Sequence, residues 1–320
     1  MIEDPVIGID ALNGARRLLY ISHLFATGSE VAWQFCLIFF LAAFTNYTSL
    51  VLVSTYGLFA SLVVFAGGSH VGQYVDDTPR LEAAQYFIVR QNICVIIATL
   101  SCYVLFLQPL STSSSSNIPS SMTAIACLIG IHIFGAAANI LDRGLTVAVE
   151  KDWIVVMSTS VQMTDTINEE SSLVSTSTNS SSSKEMNNKW LSETNIIMRQ
   201  IDLACKAFGP VLAGFLIAAI DTSSQQKNHP PSKLRYVALI VGLLNLTSLF
   251  VEWYCMTHIY QMVPSLMIKP QKSTTPPQIS MNTSSSIFCR LSTTIHNYLQ
   301  KWKMYSRQSV SLGGFALSLL

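Results

Sequence analysis

Carboxylates and amides set inside long apolar runs are the residues of this 320-residue chain with the most chemistry to offer. His23, Thr27, Glu30 and Gln34 fall at i, i+4, i+7 and i+11, which is one face of a helix. Asn245, Ser248 and Glu252 fall at i, i+3 and i+7, and Arg90, Gln91 and Asn92 interrupt a third apolar stretch. Ionisable groups in such surroundings are costly unless they face one another or a filled cavity, so they mark ion or substrate paths. Converging, Glu30, Gln91, Asn245 and Glu252 offer two carboxylates and two amide oxygens. Hard oxygen donors suit calcium or another divalent cation better than zinc or copper. The alternative reading of Glu30 is an interior hydrogen bond that only orders helix packing.

The elements that hold these side chains must be membrane spans. Half of the chain is apolar, 12% is charged and the mean hydropathy is +0.41, whereas soluble domains carry about 25% charged residues. Residues 31–75 and 91–141 contain no charge at all, and about 20 apolar residues suffice to cross the hydrocarbon. Six spans are expected, near 17–44, 49–68, 83–107, 122–149, 195–220 and 235–257. The fold class is therefore an all-α polytopic membrane protein. Nineteen basic against eighteen acidic residues give a net charge of +1, which excludes a basic nucleic-acid footprint. The seven cysteines are odd in number and include no CxxC pair. They read as small buried hydrophobes, with neither a disulfide framework nor a zinc site.

Between the spans the chain turns polar. Residues 1–16 form an N-terminal segment that lacks the apolar core of a cleaved signal peptide, and residues 17–257 form a six-helix lobe. Within it, the Ser-rich stretch 158–192 lacks apolar periodicity and is expected to be a disordered insert. Residues 258–306 read as a linker of similar composition. From 307 to 320 a new apolar run begins and stops too soon to span, as though a seventh helix were cut short. Placing the N-terminus in the cytosol puts Arg16, Arg17, Arg80, Lys151, Lys184, Lys189 and the basic residues of the linker inside. Only Lys227, Lys233 and Arg235 then lie outside, the asymmetry that the positive-inside rule selects.

The loop between the second and third spans reads Gly72-Gln73-Tyr74-Val75-Asp76-Asp77-Thr78-Pro79-Arg80. A glycine, an acid four residues later and an arginine four after that form the cytoplasmic signature of major facilitator transporters. Asp76 and Arg80 there latch a cytoplasmic gate, or else mark a solvated turn. Asp152, Arg199 and Asp202 lie at the same depth and are candidates for this network, although Asp202 also sits i, i+4 from Lys206. Asp142-Arg143 reads as a local ion pair. No GxSxG, HExxH or phosphate loop is present, and no enzymatic activity is expected.

Tyr20–Phe35 (YISHLFATGSEVAWQF), GQYVDDTPR, Gln91-Asn92, KDWIVV at 151–156, Arg199–Asp202 and Asn245–Glu252 (NLTSLFVE) occur in this order. Together they closely resemble the N-terminal half of the ferroportin family, the iron exporters of solute carrier family 40, over about residues 15–265. The resemblance implies a major-facilitator-like N-lobe, with the missing C-terminal lobe as its partner in the bilayer. It also implies a plasma-membrane location and ferrous iron (Fe2+) as cargo exported by alternating access, with no permanently bound cofactor. The family's N-lobe metal site is an aspartate and a histidine one turn apart, at the positions of Glu30 and Gln34. Its Ca2+ site corresponds to Glu30, Gln91, Asn245 and Glu252. The second metal site and the hepcidin-binding cysteine belong to the C-lobe. With an amide where the family has imidazole, the donor set favours calcium over iron. A facilitator for another substrate, or a non-transporting membrane receptor or assembly partner, is the competing reading. The orientation is testable: Pro5→Cys and Ser180→Cys are expected to resist an impermeant thiol reagent applied to intact cells. Labelling of either from outside would overturn the cytosolic N-terminus.

Overall fold

A computed structural model describes residues 9–107, 122–160, 179–222 and 231–268, all within one compact unit, residues 1–269. Six long helices make up nearly all of it: α1 (Ile9–Phe44), α2 (Val51–Asp77), α3 (Arg80–Leu105), α4 (Met122–Thr146), α5 (Asn179–Thr222) and α6 (Pro231–Met262). Each contains a window long and apolar enough to cross a membrane. α4 runs on through a π-helical turn, Val147–Trp153, into helical residues 154–160, and a 3₁₀ turn, Pro264–Met267, follows α6. No strand occurs among the described residues. The expected linker beyond Ile268 and the seventh helix lie outside them.

Helix ends follow from local chemistry. Pro79, extended at φ −53° and ψ 142°, precedes the first turn of α3 and cannot itself continue a helix from α2. Glu82 in that turn complements the positive end of the helix dipole. Between α1 and α2, Asn46 and Tyr47 take positive φ values of 50° and 58°. That conformation strains tyrosine more than asparagine, and the Tyr47 N–H donating to the Ala42 carbonyl at 2.8 Å holds the turn.

In the bundle, α2 packs on α4, α4 on α3, α3 on α6, α6 on α1, and α1 on α5. Lipid is as apolar as leucine, so these helices are held by close packing rather than by water exclusion. Gly144 of α4 lies directly against the ring of Phe87, and Gly135 against that of Tyr56, where any Cβ would collide with the ring. Two apolar cores result. One joins Leu12, Ala15 and Leu19 to Phe87, Trp153, Met157, Met198 and Ile259. The other joins Trp33, Leu37 and Phe40 to Val95, Cys102, Ile131 and Val241. α1 runs through both, and its residues between Leu19 and Trp33 lie where polar side chains gather. By contrast α2 and α5 expose Leu58, Leu62, Phe65, Leu203, Phe208, Leu212 and Phe215. Side chains of this kind on a helix surface want a lipid solvent, and the chain is a multi-pass membrane protein.

The helices extend further than the apolar runs. α1 begins at Ile9, and α2 continues to Asp77 through the loop signature itself. α5 begins at Asn179 rather than near 195, so the last part of the Ser-rich stretch is helical rather than a disordered insert. The physical reason is tertiary: Trp190 is buried in the first core, Arg16 stands 6.0 Å over its ring, and Thr194 is fully enclosed. α6 likewise runs to Met262, five residues into the expected linker. The glycine contacts make a prediction. Gly144→Val is expected to destabilise the detergent-solubilised chain by about 1–3 kcal/mol through overpacking against Phe87. Gly68→Val, where nothing lies within 4 Å, should leave thermal unfolding nearly unchanged, and equal effects would show that the approach is not constraining.

Candidate functional site

Between the two cores lies a cavity of about 370 Å³. α1 contributes His23, Thr27, Glu30 and Gln34 to its wall, the same four residues whose spacing marked one face. α4 and its π turn add Asp142, Arg143, Thr146 and Glu150, α5 adds Arg199, Asp202, Lys206 and Pro210, and α6 adds Glu252 and Met256. Pro210 has no N–H to offer the Lys206 carbonyl, so a backbone oxygen is released on this wall.

At the centre, Gln34 Nε2 donates to Glu30 Oε1 at 2.6 Å and lies 3.3 Å from Asn139 Oδ1. Asn139 Nδ2 donates in turn to the Tyr56 hydroxyl at 2.9 Å and to the Gly135 carbonyl at 3.1 Å. Asp142 lines the same cavity as Glu30. Glu252, 1% exposed, accepts from Ser248 Oγ at 2.6 Å, while Asn92 Nδ2 donates to the Ile88 carbonyl at 2.9 Å. Gln91 and Asn245 are buried on α3 and α6 but do not line the cavity. Asn245 Nδ2 donates to the Val241 carbonyl at 2.9 Å, while the Gln91 carbonyl oxygen is buried with no partner. Arg90 instead turns outward and stacks on Tyr86 at 4.3 Å. Among the described residues, no three His, Cys, Asp or Glu side chains are grouped as metal ligands.

The charged residues near the loop signature fall into two clusters. Asp202 accepts from Thr27 Oγ1 at 3.3 Å and Arg199 Nη1 at 3.2 Å, and pairs with His23 Nε2 at 2.8 Å. It does not pair with Lys206. Arg199 also reaches Glu150 at 3.1 Å, but its side chain is 64% exposed, so these pairs contribute little energy. The second cluster is enclosed. Arg80, 6% exposed, donates through Nε to Asp152 Oδ2 at 2.9 Å. Its Nη1 donates to the Ile268 carbonyl at 2.5 Å and lies 3.4 Å from that of Leu266, so one guanidinium ties α3, the end of α4 and the turn after α6. Asp76 sits exposed on the last turn of α2. Glu150 and Asp152, both in the π turn, serve the two clusters from opposite sides of the helix, as residues two apart do.

Asp142, Glu150 and Asn139 were not among the candidate site residues. The signal for them is present: Asn139, Asp142, Thr146 and Glu150 recur at i, i+3, i+7 and i+11, the same one-face pattern as on α1. Reading Asp142-Arg143 as a local ion pair hid it, because adjacent residues on a helix do not face each other.

A six-helix membrane lobe whose partly open cavity gathers charged side chains between two apolar cores has the architecture of one lobe of a carrier. The ferroportin family model, Ferroportin1 (FPN1), matches residues 13–169 and 182–320, and the chain belongs to the ferroportin family. Among relatives, it is 24% identical to solute carrier family 40 member 1 of Danio rerio, over 96% of this chain and 52% of that protein. It is 23% identical to ferroportin of Canis lupus familiaris over 97% and 52%. It is 24% identical to solute carrier family 40 member 1 of Oryza sativa subsp. japonica over 98% and 56%. The chain thus spans about half the length of these relatives. Its fold matches a bacterial homologue of the iron transporter ferroportin, solved outward-facing with soaked iron, at a TM-score of 0.57 and 20% identity. That match covers 79% of this chain and 51% of the other.

The Arg80 tie makes a prediction. Arg80→Ala is expected to free the 264–268 turn and speed alkylation of a cysteine placed at Met267. Asp152→Asn, which leaves the carbonyl contacts in place, should have the smaller effect. Equal rates in all three backgrounds would show that packing of Leu266 alone holds the turn.

Proposed function

We propose that this chain is the N-terminal lobe of a divalent-metal exporter that moves ferrous iron out of the cytosol by alternating access. It works against a second six-helix lobe that closes the other side of the path. The observation that carries this reading is a cavity lined by carboxylates from four helices in a chain of the ferroportin family. A divalent cation entering it meets Glu30 of α1 and Glu252 of α6. The tie of Arg80 to Asp152 and to the turn after α6 belongs to the cytoplasmic gate, together with Asp76 and the Asp202–Arg199 cluster. The N-terminus lies in the cytosol of a plasma-membrane protein.

Calcium is the regulatory ion of this lobe, held by Glu30 and Glu252 of the cavity wall, with Gln91 and Asn245, buried behind that wall, turning toward it when the ion binds. The buried carbonyl oxygen of Gln91, which no group of the protein satisfies, suits a cation ligand, and the donor set holds no soft atom or imidazole. When bound, the ion supplies charge that offsets the carboxylates. Radiolabelled-iron efflux from cells expressing the chain extended by a second lobe tests the reading. Efflux above the vector background is expected, lost in Glu30→Ala. Glu252→Gln is expected to weaken calcium binding about tenfold or more, ~1.4 kcal/mol. Efflux at background with both lobes present would overturn the transporter reading.

A further inference from the structure

We propose that Asn139, held by Tyr56 and by the Gly135 carbonyl, is a positioning residue that keeps the amide nitrogen of Gln34 turned to Glu30 and so weakens divalent-cation binding there. The proposal rests on reading the cavity as a divalent-cation site. It adds two residues, from α4 and α2, that tune the site from behind its wall.

One atom of Gln34 meets two groups: its Nε2 lies 2.6 Å from Glu30 Oε1 and 3.3 Å from Asn139 Oδ1. Which end of the amide stands there is decided on α4. A backbone carbonyl only accepts hydrogen bonds, so the Gly135 oxygen, 3.1 Å away, takes the Asn139 Nδ2. The other N–H of that nitrogen goes to the Tyr56 hydroxyl at 2.9 Å. Asn139 is left with an acceptor facing α1, and the Gln34 atom that meets it must be a donor. The same glycine makes room for the tyrosine, since a Cβ on Gly135 would stand 2.9 Å from the Tyr56 hydroxyl oxygen. The Tyr56 ring is also set edge-on to His132, with centroids 5.8 Å apart.

Glu30 and Gln34 line the cavity, whereas Asn139 and Tyr56 do not, so these two act on an ion only through Gln34. A cation is drawn to the carbonyl end of an amide and repelled by its N–H end. For Gln34 to offer oxygen beside Glu30, its amide must turn over. That would set Gln34 Oε1 against Asn139 Oδ1, acceptor against acceptor. Asn139 cannot turn with it, because its own oxygen would then face the Gly135 carbonyl. The network therefore holds an unfavourable dipole beside the Glu30 carboxyl, a repulsive element built into the site. An ion in transit has to leave again, and such an element keeps its binding weak enough for release.

Calorimetry with calcium chloride on the purified 320-residue chain tests this. Asn139→Leu removes the acceptor that fixes Gln34, so the amide turns over freely. Calcium is then expected to bind about tenfold more tightly, the worth of roughly one hydrogen bond. Tyr56→Phe loosens Asn139 but leaves the Gly135 bond, and should tighten binding by only about two- to threefold. Both gains are expected to vanish in a Gln34→Leu background, where no amide remains to turn. Loosened packing weakens binding, so a merely structural Asn139 would give neither the gain nor its dependence on Gln34. Should Asn139→Leu fail to fold, the milder Tyr56→Phe decides. Unchanged or weaker calcium binding in the folded variants, or an equal gain without Gln34, would overturn the assignment and leave the cation cavity standing. A wild-type chain that binds no calcium would overturn the cavity reading and this one together.

Discussion

Carboxyl groups cannot be left facing hydrocarbon, and this requirement shapes the bundle more than any single contact. Glu30, Asp142, Glu150, Asp202 and Glu252 come from four helices and line one cavity. Along α1 an apolar core lies on each side of that space. Each core is made by close approach rather than by bulk alone, with glycines letting Phe87 and Tyr56 press onto α4. Pulling one helix away would expose an acid to lipid, at a cost of about 2.5–3.5 kcal/mol for a charge at mid-membrane on insertion scales. Packing and polarity therefore select the same arrangement.

Much of this was legible in the residues, and the gaps have physical causes. The α1 face at His23, Thr27, Glu30 and Gln34 stood out because its polar residues interrupt an otherwise uncharged run. The matching α4 face was obscured because two opposite charges side by side suggest a pair, although neighbours on a helix point about 100° apart. The start of α5 was hidden for another reason. A run of serines has weak helical preference, and what orders residues near Trp190 is contact with α1, which no local pattern reports. Gln91 and Asn245 were singled out by type and depth. Depth alone does not tell whether a side chain opens onto the cavity or points between helices, and both lie behind its wall.

The π turn after α4 carries one acid of each charged cluster. Glu150 and Asp152 are two residues apart and serve arginines on different helices, Arg199 on α5 and Arg80 on α3. The wider turn lets Trp153, fully buried, fill the first core between them. Arg80 is the better enclosed of the two arginines, and it spends its remaining donors on backbone carbonyls beyond α6. A change at the end of the bundle is thereby felt by the segment that leaves it.

The tie between His23 and Asp202 also bears on how the protein is made. The two residues are separated by 179 positions, and a ribosome adding about 5–20 residues per second needs roughly 10–35 s to supply the second after the first. For that interval α1 has left the ribosome with Glu30 and His23 lacking their partners from α4 and α5. A helix in that condition has reason to stay beside the insertion machinery rather than move into lipid. Assembly of the lobe thus finishes with α5 and α6, and the first helix to be synthesised is among the last to be settled.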